Sequence, residues 1–377
     1  PLLDIRLYYS NRAEFVEQLR SACHNVGFFL LKHDIPLEVT QRQLEETRNF
    51  FQYPLEQKMK ISYQESPSFR GYMKLGVENT AGAVDLREQI EYAVEYKNHP
   101  NDNIKQWPPY ERLKTETNPW PTSFHPDLQV ATEAYVPHIC RIADCLRESL
   151  CLALGMPKES LDHLFGKSQS MNLHNKANDA NVVNSDEPPH WVLKLISYPV
   201  VEKEHGNPKF GVGGHTDTNF LTIILQDDIG GLQVFSEEDW MHVPNNLGPG
   251  ILVCNLGEQA EILSRGYFLA TPHRVLANTH GTKNRISVPL FYNPMLSATI
   301  EPLMSEDHVK SDAQLKWERA GDRKHWRRKQ NSMLASVGEN TFKSLARSHP
   351  EVFHRHHSDL KLLEDGRIVR KQEAEET

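Results

Sequence analysis

The segment Gly211-Val-Gly-Gly-His-Thr-Asp-Thr-Asn-Phe-Leu-Thr-Ile-Ile-Leu225 constrains this chain more than any other. His215 and Asp217 stand two residues apart, just ahead of a long apolar run. On an extended strand, residues i and i+2 point to the same face, so an imidazole and a carboxylate are expected to project into one space. Downstream come His273, in Thr271-Pro-His-Arg-Val275, and then Arg285 and Ser287, in Asn284-Arg-Ile-Ser-Val-Pro-Leu-Phe-Tyr292. Two histidines and one carboxylate suit iron(II) with coordination positions left open. A structural zinc site would instead close its shell with four protein ligands, usually including cysteine. Arg285 and Ser287 share a strand face, and a guanidinium beside a hydroxyl makes a clamp for a carboxylate.

The rest of the chain suits a soluble globular protein. It has 377 residues, 38% of them hydrophobic and 24% charged, enough for one large domain or two modest ones. No apolar run reaches the roughly 18 residues of a membrane span. A net charge of -8 argues against general nucleic-acid binding. The five cysteines (Cys23, Cys140, Cys145, Cys151, Cys254) contain no Cys-x-x-Cys pair, which suggests reduced thiols and a cytoplasmic protein. The sequence starts at Pro1 without a methionine, which leaves an upstream targeting segment open.

Periodicity divides the chain into regions. A short strand over 1–5 leads to a helix capped by Ser10 or Asn11, carrying Phe15, Leu19, Ala22, Cys23 and Val26 and ended by Gly27. Another short strand covers 28–32, and a second helix runs from about Leu37 to Phe51. Residues 62–125 are rich in Pro and Gly and are read as an irregular lid or binding loop. The longest helix spans 126–154, with Tyr135, Ile139, Ile142, Leu146, Leu150 and Ala153 on one stripe and a kink expected at Pro137. Residues 190–293 read as short strands parted by turns at Gly230-Gly231, Asn245-Asn246 and Gly248-Pro-Gly250, the pattern of two packed sheets of jelly-roll type. After Pro294 the chain is strongly charged. It has a basic cluster with Trp317 and Trp326 between Lys316 and Lys329, a helical pattern over 342–353, and a last dozen residues that read as solvated. His354-Arg-His-His357 reads as a solvated helix end rather than a second metal site.

The ordered set His215-x-Asp217, His273, Arg285-x-Ser287 resembles the non-haem iron(II), 2-oxoglutarate-dependent dioxygenases, in the branch that includes isopenicillin N synthase. Further stretches agree over roughly residues 1–300: Asn25-Val-Gly-Phe-Phe, Phe50-Phe-Gln-Tyr-Pro, Arg70-Gly-Tyr72, Asp85-Leu-Arg-Glu-Gln-Ile-Glu91 and Pro249-Gly-Ile-Leu-Val-Cys-Asn-Leu-Gly-Glu258.

The resemblance implies an α+β, mainly β fold: a double-stranded β-helix (jelly roll) flanked by N-terminal helices and a C-terminal helical extension. The expected organisation is an N-terminal helical and lid region over 1–125, a long helix and connector over 126–189, the catalytic core over 190–300, and the charged extension over 301–377. His215, Asp217 and His273 would hold iron(II), and Arg285, Ser287 and Tyr198 would hold 2-oxoglutarate. At Tyr198 the chain departs from the family's Asn-Tyr-Tyr-Pro, because Ile196 and Ser197 stand in place of Asn-Tyr. Arg70, Tyr72, Thr216, Asn219 and Phe291 are the substrate candidates.

The implied reaction oxidises a C–H bond of a small molecule by hydroxylation, desaturation or ring closure. Oxygen is consumed and 2-oxoglutarate becomes succinate and carbon dioxide. Two alternatives stand beside it: an iron oxidase of the same fold that uses no keto acid, and a catalytically silent binding protein. The sequence sets neither substrate nor oligomeric state.

Overall fold

The computed structural model describes residues 1–80, 82–96, 106–166, 187–202, 210–236, 239–279, 281–303 and 333–372. The strands are β1 (Leu2–Asp4), β2 (Phe28–Lys32), β3 (Gly71–Met73), β4 (Asn79–Thr80), β5 (Ala83–Val84), β6 (Glu88–Ala93), β7 (His190–Tyr198) and β8 (Phe210–His215). They continue with β9 (Leu221–Gln226), β10 (Leu232–Ser236), β11 (Asp239–His242), β12 (Ile251–Leu256), β13 (His273–Leu276), β14 (Arg285–Asn293), β15 (Leu360–Leu362) and β16 (Ile368–Arg370). The helices are α1 (Arg6–Ser10), α2 (Arg12–Asn25), α3 (Leu37–Gln52), α4 (Leu55–Lys58), α5 (Pro126–Ala153), α6 (Asp162–Phe165), α7 (Glu258–Leu263), α8 (Val337–Ser348) and α9 (Pro350–His356).

Two sheets make the body. An eight-stranded sheet runs β1-β2-β12-β9-β14-β7-β6-β3, and a four-stranded sheet runs β11-β10-β13-β8. Except for the parallel β1–β2 pair, the pairings are antiparallel. Strand alternation explains the two layers of core. Along β14, Ile286, Val288, Leu290 and Tyr292 pack towards α2, α3 and α5, together with Leu221, Ile223 and Leu225 of β9. The opposite faces, with Ile196, Tyr198, Val212, Ile224, Val234 and Val275, meet between the sheets. Both faces of β9 are covered, so it reads as a continuous apolar run rather than an alternation. Each such buried side chain contributes roughly 1.5–3 kcal/mol.

The early helices follow their sequence signals. Asn11 caps α2 by accepting the Glu14 amide. Gly27 ends it at a φ of 71°, where an added Cβ would lie 2.3 Å from the Leu269 carbonyl oxygen. Helix α5 starts with Pro126 at its first turn and continues through Pro137.

Several expectations are corrected. Residues 62–125 are not irregular throughout: β3 and β6 pair with each other, and β6 pairs with β7, extending the large sheet. With β1 and β2 in that sheet too, a boundary at residue 125 does not separate structural units. Helix α7 interrupts the region read as strands alone. The chain end is not simply solvated, because β15 and β16 form a hairpin and Arg370 donates to the Trp107 carbonyl. Nor is His357 a solvated helix end. It is 1% exposed, with its Nε2 2.8 Å from the Pro67 carbonyl and its ring stacked on Phe69. The basic cluster with Trp317 and Trp326 lies outside the described residues.

Candidate metal centre and its cavity

His215 ends β8 and His273 begins β13, and the two are cross-strand partners with ring centroids 4.3 Å apart. Asp217 lies just past the end of β8, so the turn after the strand, not strand alternation, brings it to the histidines. Its Oδ1 is 3.6 Å from His215 Nε2 and 3.7 Å from His273 Nε2. The three potential ligand atoms lie within 4.8 Å of one another.

The other atoms of these side chains are committed. His215 Nδ1 donates to the Gly213 carbonyl (2.8 Å) and His273 Nδ1 to the Thr271 carbonyl (3.2 Å). A carbonyl can only accept, so both Nε2 lone pairs face inwards. Asp217 Oδ2 accepts from Thr222 Oγ1 (2.6 Å) and Asn255 Nδ2 (2.7 Å), leaving Oδ1 for the centre. Burial and the neighbouring His273 push His215 down to about 4. Burial alone would raise the Asp217 carboxyl, but His273, His215, Thr222 and Asn255 hold it below the usual carboxylate range. With both Nε2 lone pairs and Asp217 Oδ1 turned inwards, the donor set is two imidazoles and one carboxylate, the set that suits iron(II) with open positions.

The inner end of the same cavity holds Arg285, which is 2% exposed. Its Nη2 donates to Gln226 Oε1 (2.8 Å), and its guanidinium carbon lies 4.8 Å from the Tyr198 ring centroid. Its Nε and Nη1 are buried without a partner, and no carboxylate among the described residues pairs with it. A buried guanidinium with two idle donors is costly unless an anion completes it. Ser287, also buried, lines the cavity beside it.

Comparison with known proteins agrees with this arrangement. Residues 1–110 match the family model described as the N-terminal region of a non-haem dioxygenase in morphine synthesis, and residues 178–294 match that of the 2OG-Fe(II) oxygenase superfamily. A homoarginine-6-hydroxylase of Glycine max is 33% identical over 298 residues, covering 77% of this chain and 80% of the relative. The chain belongs to the 2OG-Fe(II) oxygenase superfamily. A 1-aminocyclopropane-1-carboxylate oxidase of Dictyostelium discoideum is 26% identical, covering 85% of this chain and 89% of that one. A full-length Neurospora crassa protein, solved in complex with alpha-KG, shares the fold at a TM-score of 0.64 and 20% identity, covering 85% of this chain and 95% of that one.

As a member of this superfamily, the protein is an iron(II)- and 2-oxoglutarate-dependent oxygenase. Its residues fit both groups: the imidazole–carboxylate set fits the metal, and the idle donors of Arg285 fit a carboxylate.

Between the sheets, the cavity has a volume of about 920 Å³. Thr216, Asn219 and Phe291 line it as expected. Thr216 donates to Glu258 Oε1 (2.6 Å), and Asn219 Nδ2 donates to the Leu221 carbonyl and to Thr222. Tyr198 lies beneath Arg285 as a stacked ring.

Arg70 and Tyr72 are not brought to the cavity, which corrects the expectation for both. Arg70 is 2% exposed, and its guanidinium donates to the carbonyls of Glu116, Val94 and Leu113 and to Asn118. The Tyr72 hydroxyl donates to Glu88.

The lining expected from residues 62–125 is supplied by Glu78, Arg87 and Glu91, but sequence reasoning singled out none of them for the site, nor Lys194, Glu258 and the face of α8 that carries Asn340, Thr341 and Ser344. One signal was available for part of it. Lys194 sits inside a largely apolar strand, in phase with Val192, Ile196 and Tyr198, so it had to face the same side as they do. No helix among the described residues is long and apolar enough to cross a membrane.

Proposed function

We propose that His215, Asp217 and His273 would hold the iron(II), and that Arg285, stacked on the Tyr198 ring, and Ser287 would hold the distal carboxylate of 2-oxoglutarate. The observation that carries this reading is a single cavity with three converging ligand atoms and, at its inner end, an arginine with idle buried donors. Bound iron(II), with 2-oxoglutarate and oxygen, supplies the oxidant for a substrate C–H bond and releases succinate and carbon dioxide. The chain's own residues do the positioning. The Gly213 and Thr271 carbonyls aim the imidazoles, and Thr222 and Asn255 engage Asp217 Oδ2, leaving Oδ1 as the ligand atom.

The substrate in this reading is a small basic amino acid or guanidino compound that is hydroxylated. Glu91 and Lys194 are cross-strand partners on β6 and β7, four residues along β7 from Tyr198. Together with Glu78, Arg87 and Glu258 they give the cavity beyond the metal both signs of charge, with carboxylates in excess. Such a wall suits a molecule with a carboxylate at one end and a guanidinium or ammonium at the other. The homoarginine-6-hydroxylase of Glycine max supports the same class. Thr216, Asn219 and Phe291 would contact this substrate near the metal. The five buried, unbridged cysteines support a reducing, cytoplasmic setting.

The test is succinate release and oxygen incorporation with iron(II) and 2-oxoglutarate, comparing homoarginine, arginine and lysine with norleucine. Basic compounds should stimulate succinate release and gain one oxygen. Stimulation by uncharged or acidic compounds alone would overturn the substrate class.

A further inference from the structure

Strand β8, which carries His215, is an unusual platform for a metal ligand. It reads Phe-Gly-Val-Gly-Gly-His, with three glycines in six residues, and it is the edge strand of the small sheet. Glycine gives a backbone more freedom than any other residue, and an edge strand lacks a second ladder. The pairing with β13 is also irregular here, shifting register between His273 and Val275 and again before Leu276. Something else must fix the Gly213 carbonyl, because that carbonyl aims His215 by accepting its Nδ1–H at 2.8 Å.

The outer edge of β8 is covered by the segment from β4 to β6. The Leu86 amide donates to the Phe210 carbonyl at 3.2 Å. A Cβ at Gly213 would lie 3.2 Å from the Thr80 carbonyl oxygen, so β4 rests directly on that residue. Between them sits Asp85, 1% exposed. Its Oδ1 accepts the Gly213 amide at 3.4 Å. Its Oδ2 accepts from Thr80 Oγ1 at 2.8 Å and lies 3.2 Å from Arg87 Nη2. The carboxylate is thus held from one side and grips the glycine from the other.

We propose that Asp85 is a positioning residue for the metal ligand His215: by holding the Gly213 amide it sets the backbone whose carbonyl orients the imidazole. Residues outside a ligand set that orient the ligands are typically worth roughly 10–100-fold in metal affinity. The inference rests on His215 being a ligand, and the experiment separates the two claims.

Cobalt(II) is titrated into the apo-form of the 377-residue chain, without 2-oxoglutarate or substrate, and followed by its visible absorption. The series is wild type, Asp85→Ala, Asp85→Asn and His215→Ala, with thermal melting of each apo-protein as the folding control. Asp85→Asn keeps an acceptor oxygen for Gly213 but turns an amide NH2 towards Arg87 Nη2, so its affinity should lie between those of wild type and Asp85→Ala. Asp85→Ala should bind roughly 10–100-fold more weakly, with an altered absorption band that a purely structural role would not produce. Should Asp85→Ala fail to fold, Asp85→Ser, whose hydroxyl is one bond too short to reach Gly213, carries the same expectation.

Folded Asp85→Ala binding cobalt like wild type would overturn the proposal. If His215→Ala also binds like wild type, the ligand assignment itself fails.

Discussion

The Gln226 side-chain carbonyl holds the Arg285 guanidinium at 2.8 Å through Nη2, leaving the arginine's Nε and Nη1 buried and idle. Gln226 thus fixes the arginine without neutralising it, so its charge stays available to a bound carboxylate. Arg285→Ala should cost about 2–5 kcal/mol of keto-acid binding, as for other truncated buried charge pairs. That is roughly thirtyfold or more in the 2-oxoglutarate requirement. Titration of 2-oxoglutarate at saturating iron and oxygen checks it. A wild-type rate independent of the keto acid would favour an oxidase in which Arg285 holds the substrate's own carboxylate.

Asp217 offers one oxygen to the metal because Thr222 and Asn255 occupy the other. Thr222→Val removes the shorter of these bonds without changing the side chain's shape. The carboxylate then rotates more freely, and metal affinity should fall by roughly 10–100-fold. The fold should survive, since Asp217 keeps Asn255. Competition with a chromogenic chelator measures the affinity, and an unchanged value would show that Thr222 does not orient the ligand.

Arg70 ties three backbone carbonyls together inside the protein. Removing it in Arg70→Ala strands those acceptors, each costing about 1–3 kcal/mol if left unsatisfied. A destabilisation of about 3 kcal/mol or more in denaturant unfolding is expected. The substrate KM of the protein that remains folded should stay close to wild type. A selective rise in KM with stability unchanged would return Arg70 to the substrate site.

His357 docks α9 against the Pro67 carbonyl. Burial pushes its pKa down to about 4, partly offset by that carbonyl, with the Arg112 charge adding to the depression. In the folded protein it is therefore neutral at pH values where an unfolded histidine, near 6.5, gains a proton. The unfolded state binds more protons in that window, so the contribution of His357 is complete above pH 6.5 and is lost as pH falls towards 4. The slope is at most about 1.4 kcal/mol per pH unit for one proton. Melting curves of wild type and His357→Gln across this range should differ in slope, with the variant flatter; parallel curves would remove His357 from the acid response.

What the sequence by itself determined is the chemistry carried by local pattern. His215, Asp217, His273, Arg285 and Ser287 were visible as types at spacings, and for Arg285 and Ser287 alternation along β14 fixes a common face without knowledge of the partner strand. The same alternation separates the cavity face of β14 from its core face. Tertiary structure alone decided what depends on distant segments meeting. Arg70 left the site because carbonyls more than twenty residues away along the chain needed its donors. Asp217 reached the histidines from beyond the strand end, with its carboxylate held by Thr222 and Asn255. Asp85 met Gly213 across 128 residues. His357, in a polar run that reads as solvated, became core because Phe69 and Phe342 enclosed it. Burial of a polar group follows from which partners satisfy it, and those partners are fixed only when the chain closes on itself.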